Sequence, residues 1–182
     1  KKLNAPIFLT KGIALEDDIK QKMSSLEVKK VYIVGGKSII SEDIEKALAE
    51  LNIEVIRISG ADRYKTAVEV AKYFDSPKEA FLVTGRGFAD ALSVSTVAAI
   101  RQMPILFVDN NKYQDALDFV KSNGIERVYV IGGQTVISDE VASSFNNYQR
   151  IFGNNRYETN AKIIEAFEDL LDFSKIYIST GE

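Results

Sequence analysis

One stretch decides the fold, and it is present twice: Lys30-Val31-Tyr32-Ile33-Val34-Gly35-Gly36-Lys37-Ser38-Ile39-Ile40-Ser41 returns as Arg127-Val128-Tyr129-Val130-Ile131-Gly132-Gly133-Gln134-Thr135-Val136-Ile137-Ser138. Each copy begins with a short apolar run, rich in β-branched residues, which predicts a buried strand. A glycine pair follows, and Ser41 or Ser138 then precedes acidic residues, as is typical of a helix N-cap. The stretch therefore predicts a strand, a tight turn and the start of a helix, and its return indicates an internal repeat.

Three further pairs of segments support the repeat. They are Arg57–Thr66 with Arg150–Thr159, Ala5–Leu9 with Met103–Phe107, and Thr84-Gly85 with Thr180-Gly181. The period is about 95 residues, which is longer than a solenoid repeat, so each unit should be a small domain. We divide the chain into the second half of a first repeat (1–56), a complete repeat (57–149) and the first third of a further repeat (150–182). A parent protein with at least three copies is expected.

Within the complete repeat, segments of strand character alternate with segments of helical character. The strands are predicted over Ala80–Thr84, Pro104–Val108 and Arg127–Ile131, and the helices over Arg63–Phe74, Ala89–Ile100 and Asn111–Asn123. This alternation is typical of βαβ units with a parallel sheet. Ala89–Ile100, made of small and apolar residues, is expected to be buried between layers. The fold class is α/β, and each repeat is expected to be a small Rossmann-like unit with a parallel sheet and flanking helices.

The composition excludes several classes of function. The chain of 182 residues contains no cysteine and no histidine, so it lacks thiolate nucleophiles, an imidazole base and the usual zinc ligands. We therefore expect no catalytic residue, no metal and no cofactor. The net charge of -3 argues against a nucleic-acid partner. No apolar run approaches the roughly 20 residues that span a bilayer, and no signal peptide is visible at the start.

Ligands of parallel sheets bind beyond the carboxyl ends of the strands, which directs attention to the strand-to-helix segments. Gly35-Gly36 and Gly132-Gly133 lie in two of these segments. Their backbone N–H groups would be able to hold an anion. A tight turn with positive φ explains the same glycines without any ligand. Both interpretations stay open, although no nucleotide-binding glycine pattern surrounds either pair.

The most distinctive segment runs from Gly60 to Thr66. Asp62 is placed to cap the following helix, and Arg63 and Tyr64 are candidates for contacts with a phosphate and a sugar face. In the later copy the corresponding residues are Asn155, Arg156 and Tyr157. Asparagine caps a helix as well as aspartate does, so the exchange fits a structural cap and does not fit a catalytic carboxylate.

A third strand-to-helix loop runs from Thr84 to Ser93. Arg86 is a candidate ligand contact there, and Asp90 is interpreted as an ion-pair partner of Arg86 or of Arg63. Glu182 takes the place of Arg86 in the next copy, so this cation is not a feature of every unit.

These motifs together resemble the type 2 cell-wall-binding repeats of Gram-positive surface proteins. The resemblance rests on Gly60–Ala67, Phe88–Ser93, Pro104–Leu106 and the two strands that end in a glycine pair. It implies a secreted protein at the cell wall or cell surface, with tandem copies, usually three, that bind an anionic secondary wall polymer without covalent attachment. Some members of the family are labelled amidases or amidase enhancers, but a zinc amidase needs histidine ligands.

The leading prediction is a non-catalytic anchoring module. A sugar-nucleotide or phosphate-ester enzyme is the alternative, and a module that only assembles with other copies of itself is a second alternative. The incomplete units at the two ends should complete one another, within one chain or in an oligomer, because each alone would leave an open sheet edge.

Overall fold

The computed structural model describes residues 5–181. Six strands lie in this range: β1 Lys30–Val34, β2 Glu54–Ile58, β3 Glu79–Thr84, β4 Ile105–Val108, β5 Arg127–Ile131 and β6 Tyr148–Ile151. The helices of the described range are α1 Asp17–Ser25, α2 Glu42–Glu50, α3 Arg63–Ala71, α4 Ala89–Arg101, α5 Gln114–Ser122, α6 Asp139–Ser143 and α7 Arg156–Ala166, followed by a 3₁₀ turn at Glu168–Leu170. Strands and helices alternate, which confirms the predicted α/β class.

The strands form two parallel sheets. One has four strands in the order β4-β3-β5-β6, and the other has two, β1 and β2. In the larger sheet the chain moves from β3 outward to β4 and then crosses to the other side of β3 to form β5. The carboxyl ends of all four strands therefore meet at one edge, where the loops after β3 and β5 lie side by side.

The helix after β4 begins three residues later than the sequence predicted. The helix predicted from Asn111 begins at Gln114. The carboxylate of Asp109 accepts hydrogen bonds from the backbone N–H groups of Asn111 and Lys112, at 2.8 Å each, and so holds a turn ahead of the helix. The caps predicted at Ser41 and Ser138 are present, because each side chain accepts a bond from a backbone N–H of its helix.

Apolar residues fill both faces of the larger sheet. Leu82, Val128 and Val130 of the strands pack on one side with α3, α5 and α6. Phe81 and Val83 face the other side, where α4 and α7 cover the sheet. Helix α4 was expected to be buried between layers, but it is buried on one face only: Val94 and Val97 are inside, whereas Leu92 is exposed.

The smaller sheet has its own cluster of buried residues, which includes Leu15, Ile33, Ile44 and Leu48. Strands β2 and β6 each run across one of the repeat boundaries drawn from the sequence. The boundaries at 56/57 and 149/150 therefore divide the sequence into repeats but do not coincide with the ends of the strands, because β2 and β6 each end two residues after a boundary.

The segments near the two ends do not complete one another in this chain. Residues 5–16 and 171–181 form neither helix nor strand. The segment equivalent to β3 in the next copy exposes Ile176, Tyr177 and Ile178, and Ile7 and Leu9 are exposed near the start. Completion between chains stays a prediction. No helix within residues 5–181 has both the length and the apolar character needed to cross a membrane.

Candidate functional site

The two Arg-Tyr pairs occupy the same place in successive copies, at the first turn of α3 and of α7. Asp62 caps α3 by accepting from the backbone N–H of Lys65 at 3.0 Å. Asn155 does the same for α7 with Glu158 at 2.9 Å. Because either side chain can cap the helix, aspartate in one copy and asparagine in the next serve the same role at this position.

Each arginine of these pairs donates a hydrogen bond to the glycine of a Thr-Gly pair further along the chain. Arg63 Nη1 donates to the carbonyl of Gly85 at 2.7 Å. Arg156 Nη1 donates to the carbonyl of Gly181 at 2.9 Å. Both arginine residues are otherwise exposed. One bond therefore holds each guanidinium near the start of its helix, while the arginine as a whole remains exposed.

The tyrosine rings explain why a Thr-Gly pair returns in the sequence. A Cβ placed on Gly85 would lie 2.5 Å from Tyr64 Cε1, and one on Gly181 would lie 2.8 Å from Tyr157 Cε1. Only glycine leaves room for the ring at this position. Sequence reasoning noted the repeated pair and missed this cause.

Asp109 is the functional-site residue that sequence reasoning did not find. It is buried, and it accepts a 2.6 Å hydrogen bond from Tyr64 Oη. Burial acts to raise the pKa of Asp109, but the hydrogen bonds from Tyr64 and from the backbone of Asn111 and Lys112, with Arg86 nearby, hold it below its ordinary value. The carboxylate is thus held ionised. The Asp-Asn-Asn turn after a strand was the available signal, but nothing local connects it to Tyr64.

Arg86 lies above this carboxylate. Its Nε is 3.7 Å from Asp109 Oδ2, and its side chain is 68% exposed. Asp90 was predicted as the partner of Arg86 or Arg63, and this is wrong: Arg86 pairs with Asp109, and Arg63 bonds to a backbone carbonyl.

Lys112 adds a third cation. It forms a 2.6 Å ion pair with Asp62 and lies 5.4 Å from the centre of the Tyr64 ring. Asp62 therefore forms an ion pair in addition to capping α3. We call the residues Asp62, Arg63, Tyr64, Arg86, Asp109 and Lys112 the Arg63 cluster.

Asp90 belongs to a different place, the crevice between the loops after β3 and β5. Its Oδ2 lies 3.4 Å from the position that a Cβ on Gly132 would take. Burial raises the pKa of Asp90 above its ordinary value, and Arg156 from the next copy acts against that shift. Asp90 therefore links the glycine-pair turn of one repeat to the Arg-Tyr pair of the following one.

The raised pKa of Asp90 gives a test by pH. A carboxyl group whose pKa is raised on folding contributes stability below its unfolded pKa and loses that contribution as pH rises through the folded pKa. Asp90→Asn removes the ionisation, so we expect the variant to melt higher than the original chain at neutral pH, by on the order of a degree or two. The difference should vanish below the ordinary aspartate pKa of about 3.9.

Thermal melts from acid to neutral pH measure this difference. Asp118→Asn, an exposed aspartate on α5, controls for the loss of one surface charge. A variant that melts lower at neutral pH would contradict the assignment, since it would mean that the ionised Asp90 stabilises the fold through Arg156.

The first glycine of each pair uses its N–H group within the fold and does not offer it to an anion, whereas an anion-binding role for the N–H groups of Gly36 and Gly133 stays a prediction. Gly35 N–H donates to the carbonyl of Ile58, and Gly132 N–H donates to that of Ile151, at 3.0 Å each. Their φ values of 142° and 111° lie in the region that favours glycine, which is the turn interpretation. The residues after them, Gly36 and Gly133, accept bonds from the turn that follows.

Two arginines lock these turns, and the sequence had given them no role. Arg57 Nη1 donates to the carbonyl of Gly35 at 2.7 Å. Arg150 Nη1 donates to that of Gly132 at 2.8 Å. Arg57 also forms an ion pair with Glu45, and Arg150 forms one with Asp139. Each of these acidic residues lies in the first turn of the helix after the glycine turn. Both copies thus contain the same contact: an arginine of one strand, β2 or β6, holds the glycine turn that follows the neighbouring strand, β1 or β5.

The predicted site residues therefore fall into separate groups. Arg63, Tyr64 and Arg86 come together in the Arg63 cluster. Arg156 lies near enough to Asp90 to lower its pKa, Asp90 lies against Gly132, and Tyr157 packs against Gly181. Gly35 and Gly36 lie in the smaller sheet. Within residues 5–181 no group of three or more acidic side chains is arranged to hold a metal ion.

Successive α/β units that present arginines at the carboxyl ends of their strands define a tandem-repeat module. The chain belongs to the cell wall binding domain 2 family, whose sequence profile matches residues 1–45 and 57–142. This confirms the family resemblance inferred from the motifs.

The chain is similar to known proteins of two organisms. The chain is 34% identical to N-acetylmuramoyl-L-alanine amidase LytC of Bacillus subtilis over 98% of its length, and 34% identical to the amidase enhancer of that organism over 100%. It spans 36% and 25% of those two proteins. Cwp8 from Clostridium difficile has a TM-score of 0.82 and 36% identity over 91% of this chain and 30% of Cwp8. The chain is thus a cell wall binding module similar to part of each larger protein.

Proposed function

We propose that the module binds an anionic secondary wall polymer non-covalently and catalyses no reaction, as part of a protein that is secreted and held at the cell wall. The observation that carries the proposal is the set of exposed guanidinium groups at the strand ends, on Arg63, Arg86 and Arg156. A guanidinium pairs with phosphate or carboxylate through two parallel hydrogen bonds. Fixed local cations allow a chain of net charge -3 to take an anionic ligand.

The surroundings of the carboxylates support a binding role over an acid–base one. Asp62 is occupied by a helix cap and by Lys112. Asp109 is held ionised by four donors or cations and lies beneath Arg86. Asparagine stands in place of Asp62 in the next copy. The first glycine of each turn donates its N–H group to the neighbouring strand and accepts a hydrogen bond from Arg57 or Arg150 at its carbonyl.

Sedimentation with isolated walls tests the binding. The protein is expected to sediment with native walls and to stay in solution when the anionic polymer has been stripped chemically. Binding should weaken as salt shortens the Debye length from about 8 Å towards about 3 Å. Equal retention on stripped walls would contradict the proposal, and release of new amino or reducing groups from peptidoglycan by the pure protein would contradict the absence of catalysis.

Two arginine changes test the site itself. The double variant Arg63→Ala and Arg156→Ala should lower wall affinity by at least about tenfold, because charge-assisted hydrogen bonds contribute about 1.5–3 kcal/mol and 1.4 kcal/mol is a factor of ten. Its melting temperature should change by only a few degrees. Arg127→Ala is the matched control, since Arg127 is exposed at the opposite, amino end of β5. A large loss of stability in the double variant would show that these arginines are structural.

A further inference from the structure

An open depression of about 400 Å³ lies between the end of β6 and the second half of α7. The residues that line it come from both sides: Arg150, Ile151, Phe152, Lys162, Glu165 and Ala166. Three of them are charged and three are apolar, so the surface is not an apolar groove. An apolar surface combined with a few polar groups is typical of sites that bind small molecules.

Phe152 is the largest apolar residue of this depression. It directly follows β6 and is 45% exposed. A Cβ placed on Gly133 would lie 3.5 Å from Phe152 Cδ2, so the ring lies against the glycine turn after β5. The ring is thus at the carboxyl edge of the larger sheet, where ligands of parallel sheets bind.

The fold does not require an aromatic residue at this position. In the earlier copy Ser59 takes the place of Phe152. The next residue is a glycine in both copies, and its N–H donates to a threonine hydroxyl, at 3.0 Å for Gly60 and at 2.9 Å for Gly153. The same turn therefore forms with serine or with phenylalanine. The turn does not account for the exposed ring, whereas contact with a ligand would.

Two side chains of opposite charge stand beside the ring. Lys162 Nζ lies 5.7 Å from the centre of the Phe152 ring and 3.5 Å from Glu158 Oε1. Glu165 is exposed and lines the same depression. Arg150 is only 10% exposed and holds the glycine turn, so it is not available to a ligand. The depression therefore offers a ligand one ammonium and one carboxylate.

The charges on this helix face differ between the two copies. Lys162 and Glu165 take the places of Glu69 and Lys72, so the order of acid and base is reversed. In α3 these two residues bond to each other at 2.7 Å, whereas in α7 the ammonium lies over the Phe152 ring. The Lys72 side chain is 56% exposed, so the same helix face is also open in the complete repeat. The aromatic ring and the reversed charges thus distinguish an open face of this copy.

This combination of groups suits an uncharged sugar. The C–H face of a pyranose packs against the face of an aromatic ring, which carries partial negative charge. An ammonium donates hydrogen bonds to sugar hydroxyl groups and a carboxylate accepts them, and such charge-assisted bonds are stronger than neutral ones. A phosphate group would be attracted by Lys162 but repelled by Glu158 and Glu165.

We propose that Phe152, Lys162 and Glu165 form a binding site for one uncharged pyranose unit of a glycan, which we call the Phe152 site. The sugar packs on the Phe152 ring, and its hydroxyl groups bond to Lys162 Nζ and to the Glu165 carboxylate. The site is separate from the guanidinium groups of Arg63, Arg86 and Arg156. The inference rests on the proposed function only for the source of the glycan, because sugar binding at this site needs no wall polymer.

NMR titration of the whole chain with defined sugars tests the site. The probes are maltotriose and tri-N-acetylchitotriose, which are uncharged, and glycerol 3-phosphate, which is anionic. At least one trisaccharide should shift the ring signals of Phe152 and the amide signals around Lys162 and Glu165 in a saturable way, with a dissociation constant on the order of a millimolar. Absence of a saturable shift with both trisaccharides, or a stronger response of these signals to glycerol 3-phosphate, overturns the proposal.

The earlier copy supplies the matched variant. Phe152→Ser installs the residue that forms the same turn at Ser59, so it should weaken trisaccharide binding by about tenfold or more while the melting temperature changes by only a few degrees. Phe152→Tyr keeps the ring and should keep the binding. Phe88→Ser is the control, because it removes an exposed phenylalanine from another strand-to-helix loop. Equal loss of binding in the Phe152→Ser and Phe88→Ser variants, or unchanged binding in Phe152→Ser, overturns the proposal.

Two measurements on the original chain keep this inference apart from the proposed function. Trisaccharide shifts at the Phe152 site without any sedimentation on native walls would support the sugar site and contradict the wall-binding proposal. Sedimentation on native walls without trisaccharide shifts would do the reverse. The double variant Arg63→Ala and Arg156→Ala should bind the trisaccharide as the original chain does, since neither arginine lines the depression.

Discussion

Gly85→Ala is expected to lower the free energy of unfolding by about 2–4 kcal/mol, through overpacking and the loss of a buried hydrogen bond. The added methyl group would lie 2.5 Å from Tyr64 Cε1, and Gly85 is itself buried, so the ring must move. Tyr64 would then lose its 2.6 Å bond to Asp109, and the buried carboxylate would lose a donor. The glycine has no positive φ, so the effect is steric alone.

Urea denaturation of Gly85→Ala measures this loss, and Gly87→Ala is the control variant. Gly87 lies two positions further along the same loop, and a Cβ there would meet no heavy atom within 4 Å. We therefore expect Gly87→Ala to unfold at nearly the midpoint of the original chain. Equal midpoints for the two variants would mean that the Tyr64 ring does not pack on Gly85 in solution.

Arg150→Met is also expected to lower the free energy of unfolding by about 2–4 kcal/mol. The change keeps an apolar side chain but removes the guanidinium that donates hydrogen bonds to buried backbone carbonyls. The Arg150 side chain is only 10% exposed. It donates to the carbonyl of Gly132 at 2.8 Å and approaches that of Ser138 at 3.4 Å. Without it, the turn between β5 and α6 loses the contact that fixes its shape.

Arg127→Met is the control for this change, because Arg127 is exposed on the neighbouring strand. Its stability should remain within about 0.5 kcal/mol of the original. The decisive measurement combines denaturation with wall sedimentation. If Arg150→Met keeps its stability but loses wall binding, the structural interpretation of Arg150 is wrong and the glycine turn takes part in ligand binding.

The sequence predicted much of the fold because the relevant signals are local. Strand β5 was predicted with its observed bounds, and β3 and β4 to within one residue. The caps at Asp62, Ser138 and Asn155 were predicted from the residues themselves, because a cap is formed within four residues of its partner. The helix that follows β4 was placed too early because Asp109 was not recognised as the residue that closes a turn.

The candidate site was predicted only in part. Arg63 and Tyr64 were identified from their repeated motif, but their partners are distant in the chain: Gly85 for Arg63 and Asp109 for Tyr64. Asp90 was predicted to pair with Arg86 or Arg63, and it pairs with neither of them. In the fold it points to Gly132 and towards Arg156 of the next copy.

The sequence by itself thus determined the repeat, the alternation of strands and helices, the helix caps, the absence of histidine and cysteine, and the family. Each of these depends on residue type or on contacts within a few residues. Only the tertiary structure decided which arginines hold glycine turns and which carboxylate lies beneath Arg86. These depend on strand order: the crossover from β4 to β5 brings the ends of β3, β4 and β5 to one edge, and a parallel sheet joins residues that are far apart in the chain.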